Sequence, residues 1–242
     1  MRDEIIDLGV VYDRPDPHLH IRDGVLLSCR MDAERVTVPR GVWELGDRAF
    51  FDHRALREIS LPEGLRAIGR ECFDTCDGLR EIRLPSTVRW LGSGVFGGCD
   101  GLAAVDLPEG PDAIPPEFFC DCASLTEICL PQSVRAIGES AFEDCAGLRK
   151  IRLPARLKSI GENAFYGCQG LTELELPEGL LSIGNWAFMN CEALKQIRIP
   201  ASVCDFGRSP FYNCDALEIL APAGSPGSRY AREKGIPFRP IE

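Results

Sequence analysis

Apolar positions along this chain return with one fixed period. A proline marks each unit, at Pro39, Pro62, Pro85, Pro108, Pro131, Pro154, Pro177 and Pro200, always 23 residues from the last. Eleven residues beyond each proline stands a phenylalanine, from Phe50 through Phe73, Phe96, Phe119, Phe142, Phe165 and Phe188 to Phe211. Seventeen beyond it stands a leucine, from Leu56 to Leu217. Position six is Leu, Ile or Phe in every unit, and position three is apolar except where Pro111 takes it. A repeat held this strictly is the signature of a solenoid, because one unit cannot bury its apolar side alone and stacking puts like columns over like columns.

Within a unit the pattern predicts short elements. The segment Leu79-Arg80-Glu81-Ile82-Arg83-Leu84 alternates over its last four residues and reads as a strand with Ile82 and Leu84 inward. Proline ends it, having no N–H for a ladder. A second apolar pair, such as Leu65 and Ile68, leads to a glycine at position seven, which implies either a positive φ or a close approach between coils. Residues such as Glu139 to Cys145, "ESAFEDC", then predict a helical turn with Phe and Cys inward. Small residues at position sixteen let the chain return. The expected fold is a right-handed solenoid of eight 23-residue coils, an α/β repeat architecture with a parallel strand column and short helical turns. Coil four, with Pro111 at an apolar site and Pro115 in place of the glycine, is expected to be distorted.

Position fourteen holds Cys76, Cys99, Cys122, Cys145, Cys168, Cys191 and Cys214, with His53 in the first coil. A recurrence locked to the coil period reads as a structural column, a small and weakly polar side chain filling an inward site and bonding neighbouring backbone. Disulfides between adjacent coils and metal binding are the alternatives. Seven in a row cannot all pair, however, and there is no C-x-x-C motif or histidine at zinc spacing. Unbridged thiols fit a reducing compartment.

Charge narrows the partners. The 242 residues carry a formal net charge of −10 and 45% hydrophobic residues, as expected of a folded chain with a sizeable core. The acidic balance works against nucleic acid or anionic lipid and favours protein. No apolar stretch approaches the roughly 18 residues of a membrane span, and the first residues lack a basic start followed by an apolar region. The chain as given therefore reads as cytoplasmic and monomeric, with a secreted or cell-surface location as the alternative if a signal was removed.

The unit "LPxxLxxIGxxAFxxCxxLxxIxLP" resembles the BspA-type bacterial leucine-rich repeat, and the resemblance covers nearly the whole chain. It implies an N-terminal extension and capping hairpin over residues 1–38, eight coils over 39–221 and a cap over 222–242, with "GSPGSRYAREKG" as a short helix before a last strand. It also implies an adhesion or interaction role, often at the cell surface, and the residues themselves call for no cofactor and no metal.

Three function classes follow: a non-enzymatic protein-binding surface, an enzyme, and a structural spacer or repeat fragment of a larger surface protein. The enzyme reading has only His18 and His20 near Asp16 and the cysteine column to stand on, and no nucleophile, base and orienting group converge in sequence. For binding, the outward strand positions are the candidates: Glu58, Glu81, Arg83, Asp106, Glu127, Lys150, Arg152, Glu173, Glu175 and Arg198. They vary from coil to coil while inward positions barely change, and their mixed signs suit a polar protein surface. Trp43 and Trp90 are candidate aromatic anchors on the neighbouring face.

Overall fold

The computed structural model describes residues 17–30 and 33–242; Asp16 and the N-terminal segment read above for a signal lie outside them. The predicted strand forms, as at Glu81–Arg83, Glu127–Cys129 and Lys150–Arg152, and it pairs in parallel with its counterpart one period away: Glu127 faces Lys150, Ile128 faces Ile151 and Cys129 faces Arg152. The pairing of the last coil steps by 22 instead, Gln196 facing Glu218. Two-residue strands at positions five and six form a second parallel ladder, from Glu44–Leu45 through Ala67–Ile68 to Trp90–Leu91, and again from Ala113–Ile114 to Asp205–Phe206.

The break between those two runs is coil four. Elsewhere the position-seven glycine donates its N–H to the preceding coil, as Gly92 does to Ile68 O and Gly138 to Ile114 O, each within 2.9 Å. Pro115 has no N–H, so this rung cannot form there. The glycines themselves are needed for space and not for φ: a Cβ on Gly184 would fall 2.4 Å from the Gly161 carbonyl carbon.

The expected helical turns are replaced by a tighter device. Positions nine and thirteen adopt positive φ in every coil, for example Ser140 at 52° and Asp144 at 52°. The two kinks turn the backbone so that N–H groups at positions nine, eleven and thirteen all point to the next coil. Ser140, Phe142 and Asp144 donate to the carbonyls of Glu162, Ala164 and Tyr166 at 2.8–2.9 Å, and the same three bonds recur at every coil interface. Most of these kinks are held by Asp, Asn, Ser or Glu instead of glycine, a conformational cost which the repeated bonding offsets.

Phenylalanines stack down the axis with ring centroids 5.1–5.6 Å apart, from Phe50 to Phe211, all buried. Phe118 fills the distorted coil four, edge-on to Phe96 and Phe119. Both ends carry dedicated chain. Leu19–Arg22 and Val25–Cys29 form an antiparallel hairpin whose Asp23 and Gly24 both have positive φ, the requirement of a two-residue turn. At the far end helix α1, Pro226–Lys234, starts on Ser225, whose hydroxyl accepts from Ser228 N, with Pro226 next in line. It ends on left-handed Gly235 and leads to Phe238–Ile241, which pairs with Glu218–Pro222.

Candidate functional site

The cysteine column has a defined bonding role. Cys76, Cys99, Cys122, Cys145, Cys168, Cys191 and Cys214 each donate their thiol to the phenylalanine carbonyl 26 residues earlier, at 3.0–3.2 Å. The phenylalanine N–H goes to the next coil's backbone and its carbonyl to the next coil's thiol. In coil one His53 replaces cysteine and its Nε2 bonds Arg30 O at 2.8 Å. All twelve cysteines are free thiols, with Cys129 and Cys204 exposed. Burial pushes the column thiols up, Cys145 to about 12 and Cys214 to about 11, so almost no nucleophilic thiolate forms near neutrality. Among the described residues no group of three or more His, Cys, Asp or Glu is placed to hold a metal. Cys145→Ala is expected to cost about 1–2 kcal/mol, since it leaves the Phe119 carbonyl without its thiol donor and removes a buried sulfur. Chemical denaturation with matched slopes checks this.

The strand face is organised by ion pairs and by openings. Arg83 reaches Asp106 at 3.3 Å and Arg198 reaches Glu175 at 3.4 Å, each across one coil interface. These exposed pairs each contribute at most about 1 kcal/mol. Lys150 and Arg152, by contrast, pair with no carboxylate among the described residues.

The ladder at positions nineteen to twenty-one is open at alternate interfaces. Glu58–Ser60 is not bonded to Glu81–Arg83, Ala104–Asp106 not to Glu127–Cys129, and Lys150–Arg152 not to Glu173–Glu175. At these openings Leu61, Leu107 and Leu153 are half-buried, whereas Leu84, Leu130 and Leu176 at the closed interfaces are buried. Just downstream of the first two openings a hydroxyl clasps adjacent loops. Thr87 Oγ1 accepts from Gly64 N and donates to Leu65 O, and Ser133 Oγ accepts from Gly110 N and donates to Pro111 O. At the third opening Arg156 and Gly179 stand at those positions and neither has a hydroxyl. The groove there is the larger, about 960 Å³ against about 340 Å³ at the opening between coils three and four. Lys150 and Arg152 line it on one side of the opening, Glu173 and Glu175 on the other, and it runs on to Arg198.

Of the ten strand-face candidates, the structure thus brings Lys150, Arg152, Glu173, Glu175 and Arg198 together, and spreads Glu58, Glu81, Arg83, Asp106 and Glu127 along the remaining coils. Trp43 is engaged within the chain: its indole N–H donates to Asp23 O at 3.1 Å and its ring lies against Gly24. Trp90 is half-exposed. His18 and His20 lie at the leading hairpin, away from the cysteine column.

Fold and surface together define a leucine-rich repeat solenoid. The profile of the family described as BspA type leucine rich repeat region matches residues 20–146 and 112–224, and the chain belongs to that family. Among solved structures it is similar to the T. pallidum leucine-rich repeat protein TpLRR at 30% identity and TM-score 0.65, covering 89% of each chain. It is similar as well to a leucine rich cell surface protein of Faecalibacterium prausnitzii at 29% identity and TM-score 0.55, covering 82% of this chain and 62% of that one. A leucine-rich repeat protein of Bacteroides ovatus shares the fold at 22% identity and TM-score 0.67, covering 91% of this chain and 71% of that one. No curated protein matches. No helix among the described residues is long and apolar enough to cross a membrane.

Proposed function

We propose that this chain is a non-enzymatic protein-binding module, and that it receives a polar segment of a partner protein at the opening between coils five and six. The observation that carries this reading is the pair of uncompensated cations, Lys150 and Arg152, facing Glu173 and Glu175 across a groove where the strand ladder is unmade. Arg83 and Arg198 are already neutralised by their neighbours, so a partner gains less from them. Opposed rows of charge select a partner with the complementary arrangement and disfavour a uniform polyanion. Resemblance to a cell surface protein of Faecalibacterium prausnitzii supports a surface location for the module.

The test is capture of a partner from the native source followed by the double reversal Lys150→Glu and Arg152→Glu. Affinity is expected to fall at least tenfold, with the melting temperature unchanged because both side chains are exposed. Full affinity in the double variant, with loss on Trp90→Ala, would place the site on the neighbouring face.

A further inference from the structure

At every coil interface three N–H groups, at positions nine, eleven and thirteen, meet three carbonyls of the next coil. The last such set is Trp186 to Arg208 O, Phe188 to Pro210 O and Asn190 to Tyr212 O, at 2.8–3.0 Å. Coil eight has the same three donors on Ser209, Phe211 and Asn213, with Ser209 and Asn213 in the same left-handed conformation, at 47° and 58°. Among the described residues none of these N–H groups has an acceptor. The Phe211 carbonyl likewise lacks the thiol donor that every earlier column phenylalanine from Phe50 to Phe188 receives.

The terminal helix closes only part of this end. Tyr230 stacks on Phe206 at 4.6 Å and meets Phe211 edge-on at 6.0 Å, so the ring column is covered. Beside it lies a cleft of about 400 Å³, lined by Ser209, Phe211, Asn213, Tyr230 and Lys234. Tyr212 stands 57% exposed at its edge.

We propose that this cleft is a docking site for a polypeptide segment that adds its backbone, kinked as in the coils, to the open edge. At the seven interfaces within the chain the same donor row is satisfied by carbonyls of alternate residues from one segment kinked at position nine, as at Asn163 with φ 51°, so a backbone able to take that kinked form is the acceptor that fits. A single anion does not, because the three N–H groups bond three separate acceptors wherever they are paired. Tyr230 already covers the end of the ring column edge-on, and the lining carries one acid, Asp215, and one base, Lys234. The occupant is therefore an uncharged segment with small side chains at the centre. This surface is distinct from the strand-face groove.

The test uses the full chain, labelled with ¹⁵N, and an eight-residue peptide copying residues 161–168 with glutamine at the glutamate position, alanine at the phenylalanine position and serine at the cysteine position. In the free protein the amides of Ser209, Phe211 and Asn213 should exchange with solvent at least a hundredfold faster than those of Trp186, Phe188 and Asn190. Millimolar peptide should shift the three coil-eight resonances saturably and slow their exchange at least tenfold. Slow exchange in the free chain would overturn the proposal. So would resonances that stay unmoved at millimolar peptide, or shifts confined to the groove lined by Lys150 and Glu173.

Discussion

The protein is expected to unfold cooperatively as pH is raised past about 9, with a midpoint near pH 10. The cause is the cysteine column. All seven thiols have values raised above the ordinary 9.0, burial being the first cause in each case. Below pH 9 a thiol is protonated whether the chain is folded or not, and its contribution to stability is fully present. Above it the unfolded chain releases the proton while the folded chain holds on, so stability falls as pH climbs towards the folded values. Each thiol then costs up to about 1.4 kcal/mol per pH unit, and seven together about 10 kcal/mol by pH 10. That is comparable with the whole stability of an ordinary domain, about 5–15 kcal/mol. Circular dichroism across a reversible pH titration reads the result. A melting temperature at pH 10.5 equal to that at pH 7.5 would show that the column does not retain its protons.

Among single substitutions, Phe165→Ala is expected to have the largest effect, a loss of about 3–5 kcal/mol. Its ring is fully buried and stacks at 5.2 Å on Phe142 above and Phe188 below, at interplanar angles of 4° and 5°. Removing it leaves a void on the axis which neither neighbour can fill, because each is held by its own backbone bonds to the adjacent coils. Terminal Phe211, with coil packing on one side only, should cost less on the same change. Urea denaturation of the two variants side by side measures the difference, and equal losses would argue against a continuous stack.

Much of this architecture can be read from residue identities. The period, the Phe and Leu columns, the strand before each proline and the disturbance at coil four all follow from side chains that repeat or fail to. Pro115 is the clearest case, since a missing N–H is a property of the residue itself. What escaped was set by backbone. The left-handed positions nine and thirteen hold Arg, Glu, Ser, Asn, Trp, Asp, Thr and Gly in different coils, so no shared residue marks them, and a helical turn was the simpler expectation. Two-residue strands such as Ala67–Ile68 are too short to show alternation. The position-seven glycine allowed two readings, and only the 2.4 Å approach at Gly184 separates them. On the binding face the sequence identifies which residues point outward, but an opening between two strands depends on which backbone bonds form. Gly179 in place of a hydroxyl is the one signal that could have singled out coils five and six.

The central claim is that the column cysteines build the solenoid as buried, protonated thiols. Counting thiols with a fast alkylating reagent at pH 7.5, resolved by peptide mass spectrometry, tests it most directly. The folded protein should label at Cys129 and Cys204, more slowly at half-buried Cys120, and not along the column, with all twelve thiols reacting once the chain is denatured. Rapid labelling of Cys76, Cys145 or Cys191 in the folded state, or recovery of column cysteines as disulfide pairs, would contradict it.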